Sequence, residues 1–167
     1  MKKKIIGFIP TRLNSSRLPN KALLEIDKIP LVIHTYKRAK LSKKLDELII
    51  CCDDKKIYDV AKRFKAKAIL TSKNHTNGTE RIAEAYKKIN KKYDIIVDIQ
   101  GDEPLISPFH IDKVIEEHMK FFSSADIVLP TLLTSKKNNT NLVKVVCDTK
   151  NFVLYLSRAS IPFEFNN

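Results

Sequence analysis

Short apolar runs alternate along this chain with segments of helical periodicity, and that alternation restricts it to one fold class. Ile5 to Ile9, Leu48 to Cys52, Ala66 to Leu70 and Ile95 to Ile99 read as strands. Between them, Leu31 to Leu41 brings Val32, Tyr36 and Ala39 to one helical face. Asp53-Asp54 reads as a helix start, since acidic residues suit the first turn. Thr79 to Ile89 is predicted helical, with Thr79 as a candidate cap. Pro108 to Phe121 is a further predicted helix, because proline suits the first turn. Ile127 to Leu129, Val143 to Cys147 and Val153 to Leu156 read as later strands. The last two flank Asp148-Thr149-Lys150-Asn151, a hairpin-turn sequence. Strands alternating with helices predict an α/β sandwich on a largely parallel sheet. The 167 residues suffice for one domain with a real core, assigned here to 1–167. Lys136 to Asn141 is the candidate mobile loop.

Charge excludes less than it suggests. The 31 Lys and Arg against 19 Asp and Glu give a formal net charge of +12, a balance that can mark nucleic-acid or anionic-membrane binding. The lysines are scattered along predicted helix faces, and no basic stripe interleaved with aromatics occurs. No nucleic-acid partner is expected, and an anionic small substrate accounts equally well for the excess. No apolar run approaches the roughly 20 residues that span a bilayer, so no membrane insertion is expected. Met1 to Pro10 imitates a signal peptide, but its apolar part is short and Thr11 and Arg12 follow at once. The odd number of cysteines, with Cys51 and Cys52 inside an apolar strand, predicts free buried thiols in a reducing cytoplasm. In that compartment the Asn-x-Ser/Thr matches at Asn14, Asn74, Asn77 and Asn138 carry no meaning.

Four polar segments stand out. Gln100-Gly101-Asp102-Glu103-Pro104 follows the Ile95 to Ile99 strand and delivers carboxylates at its carboxyl end, the edge where open α/β sheets bind ligands. Asp102 there is a candidate ligand for a hard cation such as magnesium, beside a phosphorylated substrate; a plain polar turn is the alternative. Pro10 to Lys21 follows the first strand and holds Arg12, Arg17 and Lys21, cations able to wrap a triphosphate; a solvated basic loop is the alternative. Neither the Gly-x4-Gly-Lys-Ser/Thr nor the Gly-x-Gly-x-x-Gly pattern is present. Asn77-Gly78-Thr79-Glu80-Arg81 sits at a loop-to-helix junction, whose free N–H groups suit an anion or a base carbonyl. Arg81 lies where the helix dipole disfavours a cation, which suggests a task on a phosphate; an exposed Arg81 on a Thr-capped helix is the alternative. Finally, Ser157-Arg158 at a strand end could meet an acidic substrate, although Ser157 reads as an ordinary strand-end residue.

In this order the segments resemble the cytidylyltransferases that activate 3-deoxy-manno-octulosonate (Kdo). The resemblance runs through Ile9-Pro10-Thr11-Arg12, Ser16-Arg17-Leu18-Pro19-x-Lys21, His75-x-x-Gly78-Thr79-Glu80-Arg81, Gln100-Gly101-Asp102-Glu103-Pro104, Val143-Lys144-Val145-Val146 and Ser157-Arg158-Ala159-x-Ile161-Pro162. It implies a three-layer α/β sandwich with a mostly parallel mixed sheet, the Rossmann-like fold of nucleotide-diphospho-sugar transferases. It implies synthesis of CMP-Kdo and pyrophosphate from CTP and Kdo, for lipopolysaccharide biosynthesis. Magnesium dependence, a cytoplasmic setting and a homodimer are implied too.

The same resemblance assigns Arg12, Arg17 and Lys21 to the CTP phosphates, with Thr11, Gly78, Thr79 and Arg81 against the nucleotide. Asp102 becomes the magnesium ligand, and Arg12, Lys21 and Asp102 the catalytic set. Gln100 and Arg158 become contacts to the sugar acid. Three departures stand against it. Asn20-Lys21-Ala22 replaces the usual Gly-Lys-Pro, and Asn77 replaces a Ser. Family members are also substantially longer, their later segment carrying a His-containing sugar-site motif, dimer contacts and a second acidic magnesium ligand. On that basis the chain reads as a fragment or truncated product, with an unpaired sheet edge and exposed apolar surface. A cytidylyltransferase for another sugar acid, acylneuraminate-like, and an inactive nucleotide-binding remnant are the alternatives.

Overall fold

Strand β1 (Ile5–Thr11) is the spine of the molecule. Its side chains are buried on both faces, so it reads as one continuous apolar run rather than an alternating one. Ile5 and Ile9 enter one core layer, while Ile6 and Phe8 enter the other. The computed structural model describes residues 2–14, 18–134 and 139–161. These fall into two units, residues 1–128 and 129–167.

In the first unit, β1 pairs in parallel with β4 (Glu47–Cys52) on one side and with β6 (Ile95–Asp98) on the other. Strand β5 (Ala68–Leu70) pairs in parallel with β4, giving the order β5-β4-β1-β6. Helices α1 (Leu31–Ala39), α2 (Lys55–Arg63) and α4 (Pro108–Lys120) supply Val32, Ile33, Tyr36, Ile57, Ala61, Ile111 and Ile115 to one layer. Helix α3 (Gly78–Lys87) covers the opposite face with Ile82 and Ala85. This is the three-layer sandwich expected. The four strands of its sheet are all parallel, and among the described residues antiparallel pairing is confined to two small separate sheets. Truncating the fully buried Phe8 to Ala would cost about 3–5 kcal/mol, the usual penalty for emptying an aromatic core site.

Carboxylates pin the ends of β1. Asp94 accepts the Lys4 N–H and Asp46 accepts the Ile5 N–H, both at 2.8 Å, while Asp53 accepts the Leu13 N–H at 2.9 Å. All three come from positions flanking β4 or β6, so the sheet's own neighbours fix where β1 begins and exits. Cys51 and Cys52 are buried in β4, and burial pushes both thiols up to about 12. Cys147, by contrast, is exposed, so the expectation of a buried thiol holds for only two of the three.

Several local expectations are corrected. Asn77, not Thr79, caps α3: its side chain accepts the Glu80 N–H at 2.9 Å, and Glu80 reaches back to the Thr76 N–H at 2.9 Å. No strand forms over residues 127–129, because no neighbouring strand pairs with it among the described residues, and Ile127 is exposed. An unanticipated hairpin joins β2 (Glu25–Ile26) and β3 (Ile29–Pro30), turning through Asp27 and Lys28, both left-handed. Its turn lacks the Gly that signals such turns in sequence.

The second unit contains β7 (Lys144–Cys147) and β8 (Val153–Ser157), an antiparallel pair. The predicted hairpin is there, with Asn151 left-handed and Asp148 accepting the N–H groups of Lys150 and Phe152. Of the candidate mobile loop, residues 136–138 lie outside the described residues. Asn139 begins a turn closed by the Leu142 N–H on its carbonyl.

Candidate active site

The chain leaves β1 for β4 and β5 on one side, then returns to β6 on the other. The carboxyl ends of β1 and β6 thus form a topological switch point, where open parallel sheets bind their ligands. A cavity of about 500 Å³ lies there, lined by Pro10, Thr11, Arg12, Lys21, Gly78, Arg81, Gln100, Gly101 and Asp102 among others. Three of the four segments singled out in the sequence therefore meet at one cavity. Its volume is within the range of small-molecule sites.

Lys21 stands on a single 3-10 turn, Lys21–Leu23, entered through Asn20 in the left-handed conformation (φ 54°). Asn adopts that conformation at low cost, which explains how it replaces a glycine. Lys21 Nζ lies 2.6 Å from Asp102 Oδ2, both side chains being partly exposed. A solvent-facing pair of this kind is worth under about 1 kcal/mol, so either partner can be drawn away by a stronger charge. Arg12 is exposed at the rim of the cavity and forms no ion pair among the described residues.

Arg81 is the exception among the cations. Only 3% of it is exposed. Its guanidinium donates to the Thr71 hydroxyl at 2.7 Å and the Ser72 carbonyl at 3.1 Å, and lies 3.5 Å from Asp53. The unfavourable first-turn position is thus explained by partners inside the fold. Through Asp53, which also holds the Leu13 N–H, Arg81 braces the backbone just after Arg12. His75 lines the same cavity, and its ring contacts Glu84. Glu84 also binds Lys88 and the Ser72 N–H, and its carboxyl is pulled down to about 2, chiefly by Lys88, then Ser72 and His75. In the sequence Asp53 reads only as part of a helix start and Glu84 carries no assigned role; their signal lies in the spacing of charges across separate elements.

Gly101 is required by close approach. A Cβ there would stand 2.5 Å from the Thr11 hydroxyl and 3.0 Å from the Pro10 carbonyl. Thr11 Oγ1 is the buried side-chain polar atom without a hydrogen-bond partner among the described residues. Gln100 lines the cavity and donates to Asp98 at 3.3 Å. Thr79 is exposed on α3 and is not among the lining residues. Arg17 lies outside the described residues. In the second unit, Arg158 donates to the carbonyls of Thr140 and Asn141, both at 3.2 Å. Among the described residues, no group of three or more His, Cys, Asp or Glu is arranged to cage a metal. A lone carboxylate does fit magnesium, which commonly takes one or two carboxylates and completes its shell with water and substrate phosphates.

The cytidylyltransferase family model matches residues 6–167. The 3-deoxy-manno-octulosonate cytidylyltransferase of Fusobacterium nucleatum is 45% identical, over 98% of this chain and 67% of that one. The chain belongs to this family. The corresponding enzyme of Chloroherpeton thalassium is 40% identical over 98% of this chain and 68% of its own length, and the mitochondrial one of Arabidopsis thaliana 40% over 96% and 56%. Among solved structures, CMP:2-keto-3-deoxy-manno-octonic acid synthetase complexed with CTP superposes with a TM-score of 0.83. It is 33% identical over 98% of this chain and 67% of that one. This cytidylyltransferase therefore has the Rossmann-like nucleotidyltransferase fold and spans roughly two thirds or less of these relatives' lengths.

Proposed function

We propose that this chain makes CMP-Kdo and pyrophosphate from CTP and 3-deoxy-manno-octulosonate. The observation that carries the reading is the meeting of Arg12, Lys21, the start of α3 and Asp102 around one cavity at the switch point. The identity to named Kdo cytidylyltransferases supports the choice of sugar acid over an acylneuraminate-like one. A sugar hydroxyl attacks the α-phosphate in line, a new O–P bond forms as the hydroxyl proton is lost to solvent, and the bond to the β-phosphate breaks as pyrophosphate leaves. Such a transfer needs little covalent help, which accords with the lack of a nucleophile–base pair in the sequence. It needs two anions held together and their charge offset.

In this reading Arg12, Arg17 and Lys21 bind the triphosphate, Thr11 and Gly78 lie against the nucleotide, and Arg81 braces that wall. Gln100 meets the sugar acid. Asp102 would hold magnesium, which when bound offsets charge on the phosphates. The Lys21–Asp102 pair is weak enough for both to serve: Asp102 would hold the metal and Lys21 would bind phosphate. No helix among the described residues is long and apolar enough to cross a membrane. A cytoplasmic setting and a role in lipopolysaccharide biosynthesis extend the same reading.

The test is pyrophosphate release by the purified chain with CTP, magnesium and Kdo. Release that requires Kdo and is lost in Asp102→Asn is expected. Release without Kdo, or full activity in Asp102→Asn, would contradict the assignment.

A further inference from the structure

Thr35 is wholly buried on α1, at a position of the helix's apolar stripe between Leu31, Val32, Tyr36 and Ala39. A threonine is an odd choice there. It is a poorer helix former than leucine or alanine, and its hydroxyl must be desolvated. The Leu31 carbonyl, 3.4 Å away, is the usual intrahelical partner for such a hydroxyl. Thr35 Oγ1 is closer to a different acceptor, the Gly101 carbonyl at 3.2 Å, 66 residues along the chain.

That acceptor belongs to the turn carrying Asp102. The turn is confined from a second side, since the Thr11 hydroxyl and the Pro10 carbonyl occupy the space that a Cβ on Gly101 would need. Gly101 is thus held between the end of β1 and the middle of α1. The next residue presents its carboxylate to Lys21. Valine has the same shape but would leave the Gly101 carbonyl without this partner. The hydroxyl both satisfies that carbonyl and fixes its height.

We propose that Thr35 is a positioning residue for nucleotidyl transfer: its hydroxyl holds the Gly101 carbonyl so that Asp102 faces the metal–nucleotide. This rests on the function proposed above. Thr35 touches no substrate and acts through the turn. Groups that orient a metal-binding carboxylate typically change metal affinity by about 10-fold to 100-fold when removed, and Thr35, one residue removed, belongs at the lower end.

The experiment uses the whole chain and three proteins: wild type, Thr35→Val and Thr35→Ser. CTP binding is titrated calorimetrically in magnesium and again in EDTA, and amide exchange of residues 99–104 is followed without ligand. Thr35→Val is expected to weaken CTP binding about tenfold in magnesium, to leave binding in EDTA unchanged, and to speed exchange in the 99–104 turn. Thr35→Ser, which keeps the hydroxyl, is expected to bind CTP as wild type does. Equal losses with and without magnesium in Thr35→Val, or wild-type binding by it, would overturn the proposal. Should Thr35→Val fail to fold, magnesium-dependent loss in a folded Thr35→Ser would overturn it equally. Absence of CTP binding by the wild type overturns the function itself, and is told apart by needing no variant.

Discussion

Arg81 shows how far one residue can be read before its partners are known. Its place in the first turn of α3 flagged it, since a cation there opposes the helix dipole. Sequence could not say whether the compensation lay in a ligand or in the protein. Thr71 and Ser72 follow β5 and Asp53 follows β4, two strand ends that only the folded sheet brings together. Removing the guanidinium leaves Asp53 without its buried counter-charge, and breaking such a pair costs about 3 kcal/mol or more. Arg81→Met, which preserves much of the volume, is expected to lower unfolding stability by about 3 kcal/mol in urea titrations. In an Asp53→Asn background the same change should cost clearly less. Equal costs in both backgrounds would show that Arg81 acts through Thr71 and Ser72 alone.

At the scale of elements, the parallel strands and the four helices were legible because their periodicity is strong and both faces of the sheet are covered. Position 127–129 failed for a physical reason: an apolar triplet becomes a strand only beside a partner, and among the described residues none is paired with it. The α3 cap was misassigned by two residues because Asn77, Gly78 and Thr79 offer competing start signals. The loop before α3 is organised from within the helix, by Glu80 on Thr76 and by Glu84 on Ser72 and His75. Glu84 therefore carries an acid-dependent share of stability. Its folded pKa, about 2, lies below the unfolded carboxylate value near 4.3. The contribution is full above pH of about 4.5 and fades as pH falls toward 2. Urea midpoints measured between pH 5 and pH 2.5 should fall less steeply for Glu84→Gln than for the unmodified chain. Parallel curves would mean that its contacts give the carboxylate no advantage over the unfolded state.

Across the whole molecule, the cavity was legible as a set of segments but not as a shape. The order β5-β4-β1-β6 supplies the convergence, and that order is a property of pairing rather than of any local pattern. The same topology divides the molecule unevenly in protection. Strands β1 and β4 are buried in the middle of a four-stranded sheet with helices over both faces. Among the described residues, strands β7 and β8 pair only with each other, and Val153, Leu154, Tyr155 and Leu156 are exposed. A two-stranded hairpin is marginal by itself in water. Its amides should therefore exchange through local opening, while those of β1 and β4 wait for unfolding of the sheet. Hydrogen exchange followed by mass spectrometry at neutral pH should show β7 and β8 exchanging at least about a hundredfold faster than β1 and β4, the ratio expected for an opening cheaper by roughly 3 kcal/mol. Protection of β8 equal to that of β1 would mean instead that the hairpin opens only when the sheet does, joining residues 129–161 to the cooperative unit that carries the cavity.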